Sequence, residues 1–427
     1  PQHDRRELLL FQRVFAVARR RLTISWHRVD RDGGATQRSL YLEEIAERLR
    51  DLAVTRPANP REVLVPTKEL VAGTRDVRNL LFGFRATEAG ATAFPETAAA
   101  AAVEAERQSG NACGTRDGVL GAARNLELIA KEFGPDIEFS ATALESYASC
   151  PFHFFQERIL RLFRVEPAEP TLDALVQGRV LHRALEKFHA SHRGAAIGDI
   201  PVDVADTSMR DALDIAFTDV TRGQVHLSRG LLEAEKAKIA RMLRQYLAIA
   251  RETDDPAWKP VQFETAFGRA RDDDDTPLPP FRLELDDGAV LLTGRIDRID
   301  EANGGIRIVD YKSSVVQPAE ILNRRAFQLA LYALAAESVV RPGEMCDSAL
   351  YLAVGREKGK TVALERAGKK SNWDERVALA QTAVETSLAG IRTGKFHPTF
   401  DDHPCSRCPD EKICRYQRAR MQRKAAE

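Results

Sequence analysis

Residues 288–314 constrain the fold more than any other part of the sequence, because they have the pattern of a β-hairpin. Apolar residues alternate on both sides of Asn303-Gly304-Gly305, and Asn and Gly tolerate the positive φ that a tight turn needs. Paired positions of an antiparallel hairpin sum to a constant, so Asp297 should lie opposite Asp310. Opposed side chains have Cβ atoms about 4.5–5.5 Å apart, close enough to share one divalent cation. Lys312 shares a strand face with Asp310, which predicts a site for metal-assisted phosphodiester hydrolysis.

The hairpin alone is also compatible with a surface element whose aspartates are solvated, as most are. Its sequence, however, resembles the RecB/AddB branch of the PD-(D/E)xK nuclease superfamily. That branch has a first acid in a GRIDRID-like strand and a second acid and a lysine in a DYK-like strand, which match residues 294–300 and 310–312 here. The resemblance implies an α/β fold, with a nuclease core of a small mixed sheet flanked by helices. It also implies catalytic roles for Asp297, Asp310 and Lys312.

A metal site follows from the same resemblance. Mg²⁺ or Mn²⁺ would be held by Asp297, Asp310 and the backbone carbonyl of Tyr311. Residues 178–188 (GRVLHRALEKF) form a helical apolar stripe with His182 at its margin. The family has a G-x-x-x-H-x-x-L-E-like helix upstream of the acids, so the match implies that His182 is a further metal ligand. A helix histidine by itself is more often structural.

Two other segments match the family. Gln328 and Tyr332, in AFQLALYALA, are four residues apart and so share one helix face. They match a Q-x-x-x-Y pattern that follows the lysine strand, which implies that they line the site and contact substrate. In isolation they would be the polar edge of an ordinary helix. Glu264 lies in a strand resembling the family's V-E-x-x-F strand and is expected to approach the site.

Four of the six cysteines form a candidate cluster site. Cys405, Cys408 and Cys414 have C-x2-C-x5-C spacing, and Cys150 lies more than 250 residues upstream. Four thiolates suit either tetrahedral zinc or a [4Fe–4S] cluster, and spacing does not separate the two. The resemblance, which includes an S-x-x-x-C-P-F-x-F-F element around Cys150, implies [4Fe–4S], with zinc as the alternative. The remaining cysteines are expected to be plain thiols, one of them buried: Cys113 and Cys346.

Composition fits an intracellular, cytoplasmic enzyme without a membrane partner. No signal peptide and no apolar run of about 18 residues is present, and clustered C-x-x-C spacing in that setting indicates metal binding rather than disulfides. Lys+Arg and Asp+Glu are both 63, which counts against avid, free-standing nucleic-acid binding. A nuclease that receives its strand from a helicase needs only a locally basic channel. The basic residues 415–424 are interpreted as lining such a channel or as a frayed, solvated helix end.

The chain is predicted to have three parts. Residues 1–55 resemble the end of a UvrD-like helicase domain, with a strand at 22–26, but AVARRR at 16–21 replaces the family's Thr-Arg-Ala core. No G-x-x-x-x-G-K-[ST] loop occurs to cradle ATP phosphates. Residues 56–137 are interpreted as a helical connector, and residues 138–427 as the nuclease domain.

Within the nuclease domain, residues 142–145 fit a T-x-x-E capping box at a helix start. A helical insertion is predicted from His182 to about residue 253, with strong periodicity over 231–249. Because the chain begins at Pro1, we expect it to be the C-terminal piece of something longer.

The function predicted from these features is a metal-dependent exonuclease acting mainly on single-stranded DNA. It would belong to a helicase–nuclease complex in double-strand-break repair and recombination, with an AddA-like or UvrD-like helicase partner subunit. Two alternatives stay open. One is a catalytically silent module that binds DNA or a partner, and the other is a stand-alone RecB-type nuclease of CRISPR adaptation.

Overall fold

The computed structural model describes residues 9–14, 16, 22, 24, 37, 39–48, 95–162, 171–222, 228–268, 278–286, 288–317, 319, 321, 326–356, 359–369, 371–401, 405, 408 and 410–425. The chain divides into two compact units, residues 1–102 and 103–427. In the first unit, helix α1 (Leu40–Arg48) begins after Ser39, as predicted. The strand predicted at 22–26 and the AVARRR segment lie mostly outside the described residues.

The second unit is built around a seven-stranded mixed sheet. Its strands are β1 (Glu138–Ser140), β2 (Lys259–Phe267), β3 (Phe281–Leu285), β4 (Gly288–Ala302), β5 (Gly305–Lys312), β6 (Met345–Ala353) and β7 (Lys360–Glu365). The helices from residue 95 onward are α2 (Pro95–Gln108), α3 (Ala123–Glu132), α4 (Ala141–Ser149), α5 (Pro151–Phe154), α6 (Ala174–Ser191), α7 (Val202–Thr221), α8 (Arg229–Thr253), α9 (Gln328–Ala335), α10 (Trp373–Arg392), α11 (Glu411–Cys414) and α12 (Arg418–Ala425). The α/β nuclease-type fold predicted from the sequence is therefore observed.

Strand β4 is the centre of the sheet because its 15 residues pair along their whole length. Its first half lies between β1, which is parallel, and β3, which is antiparallel. Its second half lies between β2 and β5, both antiparallel. Beyond β5 come β6, in parallel, and β7, in antiparallel orientation. One strand thus positions elements that are far apart in sequence.

The hairpin of β4 and β5 has the predicted turn and register. Asn303 and Gly304 have φ of 51° and 81°, in the left-handed region, and Arg298 pairs with Val309. The two paired positions sum to the constant expected from the sequence. Asp297 therefore lies opposite Asp310.

Two hydrophobic cores cover the two faces of the sheet. One core joins helices α6, α7 and α8 to Val309, Tyr311 and Leu350 of the sheet. The other joins α4, α9 and α10 to Ile308, Ala349 and further residues of the sheet. The alternation of side chains along each strand explains this division, because neighbouring residues point to opposite faces. The predicted helical insertion is the first of these layers.

The predicted capping box at residues 142–145 is wrong. The side chain of Ser140, not Thr142, accepts the amide of Ala143 and caps α4. Glu145 accepts the backbone amides of Phe327 and Gln328, at 2.7 and 2.6 Å between nitrogen and oxygen. A carboxylate at orphan amides of a helix start is stabilising, so Glu145 serves a helix that lies far along the chain.

The basic C-terminal segment is not a frayed helix end. Within α12, Arg420 and Lys424 are buried. The Lys424 ammonium lies 2.6 Å from the Asp117 carboxylate, which is also buried. Packing of one helix face against the region before α3 orders this segment, while its other side remains exposed.

A buried ionic network lies on the face of β4 that α8 covers. Arg298 donates two hydrogen bonds to the Asp300 carboxylate, and Arg307 donates two more from β5. Arg298 also donates to the hydroxyls of Tyr246 and Tyr311, at 3.1 and 3.4 Å. All of these side chains are buried. The network therefore ties the hairpin to the helical layer.

Among the described residues, none of the helices combines the length and the apolar character that crossing a membrane requires.

Candidate active site

Three acidic residues form a row across adjacent strands. Glu264 on β2 is placed opposite Asp297 on β4 by the strand register, and Asp297 is opposite Asp310 on β5. Only 9% of Asp297 and 3% of Asp310 is exposed, so the alternative of a solvated surface hairpin is wrong. The Tyr311 amide donates a hydrogen bond of 2.7 Å to Asp297. This bond fixes the first acid relative to the strand that carries the second.

His182 reaches the same point from helix α6. Its Nδ1 lies 3.4 Å from an oxygen of Asp297 and 3.7 Å from an oxygen of Glu264. Its Nε2 lies 3.1 Å from the carbonyl oxygen of Tyr311. Ligand atoms of His182, Glu264 and Asp297 all fall within 4.8 Å of one another, a grouping that could hold a metal ion. Asp310 lies outside this group of three and remains a predicted ligand.

The sequence favours His182 over Glu264 as a ligand, yet the structure puts Glu264 in the metal-binding group as well. Its φ is 48°, in the left-handed region that residues with a Cβ seldom adopt. Strain of this kind is often found at functional sites. The local distortion lies in the middle of β2, beside Asp297. Alternation along a strand does not reveal such a residue in advance.

Lys312 is held in place by neighbours from two elements. Its ammonium lies 2.8 Å from an oxygen of Asp310 and donates a 3.2 Å hydrogen bond to the side-chain oxygen of Gln328. The amide of Gln328 is in turn held by Glu145. Glu145 is the site residue that the sequence pattern does not reveal. Its carboxylate fixes the start of α9, and thereby the residue that contacts the lysine.

Tyr332 packs directly against the glycine of the GRID segment. A Cβ built on Gly294 would lie 2.6 Å from Cε1 of Tyr332 and 2.8 Å from Cζ of Phe267. Contacts under 3.0 Å are essentially never seen for a real Cβ. The close approach of this ring therefore requires glycine at position 294.

We expect Gly294→Ala to displace Tyr332 and to lower the free energy of unfolding by about 1–3 kcal/mol, as overpacked cores do. DNA cleavage should fall with it. Urea denaturation and a cleavage assay measure the two effects. Gly230→Ala is the matched control, since a Cβ there meets nothing within 4 Å. A Gly294→Ala protein with unchanged urea midpoint and full cleavage would show that Tyr332 does not need this contact.

The electrostatics of the site favour a bound cation. Burial and the nearby charge of Asp297 raise the pKa of Asp310 to about 7. Burial also raises the pKa of Glu264. Burial alone would lower the pKa of His182, but the carboxylates of Asp297 and Glu264 outweigh it and raise that pKa to about 10. Crowded carboxylates thus hold protons that a divalent cation could replace.

These residues open onto the cleft of about 980 Å³ between α6 and the sheet. His182, Glu264, Tyr311 and Lys312 line it. Arginines also line it: Arg179, Arg183 and Arg295. Carboxylates at the base and cations around the wall suit a ligand that carries phosphate groups.

The four cysteines predicted to act together line one small cavity. Cys150, at the start of α5, faces Cys405, Cys408 and Cys414, with the ring of Phe152 beside them. Burial raises the pKa of the Cys150 and Cys414 thiols. Four thiols around one apolar cavity are the donor set of an iron–sulfur cluster or a structural zinc.

The two remaining cysteines are free thiols, and Cys346 is fully buried, as predicted.

Comparison with known proteins gives three similar bacterial relatives, each named as a subunit of an ATP-dependent helicase/deoxyribonuclease. That of Clostridium kluyveri (strain NBRC 12016) is 28% identical over 196 residues, 44% of this chain and 16% of the relative. That of Lysinibacillus sphaericus (strain C3-41) is 30% identical over 190 residues, 43% of this chain and 16% of the relative. That of Acetivibrio thermocellus (strain ATCC 27405) is 26% identical over 330 residues, 71% of this chain and 27% of the relative.

The chain therefore spans between about a sixth and about a quarter of the length of these relatives. A family model described as the PD-(D/E)XK nuclease superfamily matches residues 138–415, which include every acid, lysine, histidine and cysteine of the two sites above. With its sheet, its row of acids and this match, the chain belongs to the PD-(D/E)XK nuclease superfamily.

Proposed function

We propose that this chain is a Mg²⁺- or Mn²⁺-dependent deoxyribonuclease that acts as an exonuclease, mainly on single-stranded DNA. The observation that carries the proposal is the convergence of Asp297, Asp310 and Lys312 with His182 and Glu264 in one cleft. The name of the relatives, which are helicase/deoxyribonuclease subunits, supports DNA as substrate. It also supports a helicase partner subunit of the AddA or UvrD kind, and work in the cytoplasm on double-strand breaks.

The donor set fits a hard divalent cation. Carboxylate oxygens and a backbone carbonyl are the ligands that Mg²⁺ and Mn²⁺ accept, and imidazole is compatible with Mn²⁺. His182, Glu264, Asp297 and the Tyr311 carbonyl would hold the cation, with Asp310 as the further carboxylate of the row. When bound, the cation lowers the pKa of a water molecule and offsets charge on the phosphate.

The chain's own residues orient the reactants. The Lys312 ammonium, held by Asp310 and Gln328, points into the cleft, where it can donate hydrogen bonds to the attacking water or to a phosphate oxygen. Burial by itself lowers the pKa of Lys312, but the Asp310 charge outweighs that effect and the pKa is raised. A positively charged lysine stabilises the developing negative charge. Tyr332, packed on Gly294, closes the wall behind the acids.

We propose a structural role for the four cysteines, as ligands of a [4Fe–4S] cluster or, alternatively, of zinc. Cys150 and the C-terminal trio enclose a loop of more than 250 residues. Cross-linking a loop of that length stabilises a fold by about 5 kcal/mol in the chain-entropy estimate. The helicase-like interpretation of residues 1–55 also stays a proposal, supported by the length that the relatives have beyond this match.

Cys150→Ser is expected to lose the bound metal and to lower the free energy of unfolding by several kcal/mol. Elemental analysis for iron, sulfide and zinc, with urea denaturation, measures both. Cys113→Ser is the matched control, because Cys113 is a partly buried free thiol that does not line the cavity. Iron with sulfide would identify the cluster and zinc the alternative. Neither element in protein purified without oxygen would refute the site.

Degradation of end-labelled single-stranded DNA, with Mg²⁺ and with EDTA, tests the proposed activity. We expect shortening of the strand in Mg²⁺ and none in EDTA. Equal degradation in both would mean that a contaminant or a metal-independent site cuts. No degradation in Mg²⁺ or Mn²⁺, even with the helicase partner present, would leave a binding module as the function.

A further inference from the structure

One wall of the cleft is a single face of helix α6. Leu175, Arg179, His182, Arg183 and Glu186 all line the cleft. They are spaced three or four residues apart along the helix, apart from the adjacent pair at 182 and 183, and so lie on one face. The histidine of the metal group thus shares its face with residues to which the proposed chemistry assigns no part.

Arg179 differs from the other cations of the cleft. Arg183 lies 2.7 Å from the Glu186 carboxylate, and Lys312 lies 2.8 Å from that of Asp310. Arg179 is exposed and makes no ion pair with any residue that the structure describes. An exposed arginine at the lip of a cleft can bind a phosphodiester without breaking an existing pair.

Leu175 lies one helical turn beyond Arg179 and is 79% exposed. The Asp173 side chain accepts the Leu175 amide at 2.6 Å, which fixes the leucine at the helix start. Along the axis, Leu175 is about 10 Å from His182 and Arg179 is about 4.5 Å from it. Single exposed leucines are common on protein surfaces. This one is in line with a cation and a candidate metal ligand on the wall of one cleft.

We propose that Arg179 and Leu175 form a binding track for the DNA strand next to the phosphate that is cut. The Arg179 guanidinium binds a neighbouring phosphodiester, and Leu175 packs against the base or sugar of the nucleotide beyond it. The inference rests on the proposed function of the cleft as a nuclease site. An apolar side chain can cover a base face only where the base is unstacked, so the ligand of the track is a single strand.

The experiment measures binding of a fluorescein-labelled oligothymidylate by anisotropy in Ca²⁺, between about 50 and 200 mM salt. A gel of each sample confirms that the probe is intact. For Arg179→Ala we expect affinity to fall about tenfold. The slope of log K against log salt should decrease by about 0.7, the value for one phosphate contact on a single strand. Arg179→Lys should restore the slope, because a point charge suffices for it.

Leu175→Ala should weaken binding by about fivefold and leave the salt slope unchanged, because it removes an apolar contact. Arg282→Ala is the control: Arg282 is an exposed arginine paired with Glu284 on β3 and does not line the cleft. Its binding should equal that of the unmodified chain.

Wild-type affinity and slope in Arg179→Ala would overturn the track, as would failure of the unmodified chain to bind the probe. The proposed nuclease function is judged separately, by cleavage in Mg²⁺. If the variants lose binding as expected but the unmodified chain does not cut, the track stands and the nuclease assignment fails.

Discussion

Asp310→Asn is expected to reduce hydrolysis of single-stranded DNA by on the order of 10²–10³-fold or more, the scale seen when one preorganised electrostatic contact is removed. The Asp310 carboxylate is buried, faces Asp297 across the hairpin and holds the Lys312 ammonium at 2.8 Å. The amide of asparagine has the same shape but carries no charge. The substitution would therefore weaken the hold on the cation and on the lysine without opening a cavity.

The same variant should fold at least as well as the unmodified chain. Burial and the charge of Asp297 raise the pKa of Asp310 to about 7, so above that pH its ionised form is less favourable in the folded state than in the unfolded chain. A neutral isostere removes this cost, and the melting temperature in metal-free buffer at pH 8 should stay equal or rise. Asp203→Asn, on the exposed side of α7, is the control. Full cleavage by a folded Asp310→Asn protein would refute the assignment of the site.

Asp300→Ala is expected to lower the free energy of unfolding by about 3–5 kcal/mol. Asp300 is fully buried and is the shared acceptor for Arg298 and Arg307. Its removal leaves two buried guanidinium groups without their counter-charge. Because Arg298 also binds the hydroxyls of Tyr246 and Tyr311, the loss should loosen the contact between the hairpin and α8.

Urea denaturation measures this effect. Asp214→Ala is the comparison, since Asp214 forms an exposed ion pair with Lys236 at 3.1 Å, and such pairs contribute about 1 kcal/mol or less. Replacing Asp300, Arg298 and Arg307 together by apolar residues should recover much of the lost stability. An Asp300→Ala protein as stable as Asp214→Ala would mean that water or a neighbouring group compensates the two arginines.

The parts of the site that could be predicted from sequence are those set by local geometry. The register of the hairpin follows from its turn, because Asn303-Gly304 takes the positive φ values that a two-residue turn needs. That register places Asp297 opposite Asp310 without any knowledge of tertiary contacts. The helix periodicity likewise sets His182 at the edge of an apolar stripe, where it faces the cleft.

The features that sequence does not reveal depend on partners distant along the chain. Glu145 has the spacing of a local capping box, but its acceptor oxygens serve amides 182 and 183 residues away. Nothing in the pattern around residue 145 distinguishes the two outcomes. Glu264 has a backbone conformation that alternation along a strand does not encode. The burial of Lys424 against Asp117 needs the whole fold, since 307 residues separate the two.

The two hydrophobic cores on opposite faces of the sheet have a thermodynamic consequence. The wall that carries His182 belongs to one core, and the helix that carries Gln328 and Tyr332 belongs to the other. A ligand that contacts both walls is bound only while both cores are folded. By linkage, its binding free energy is added to the cost of unfolding either core by itself. Occupancy of the cleft should therefore make the unfolding of the two layers more cooperative than it is in the empty protein.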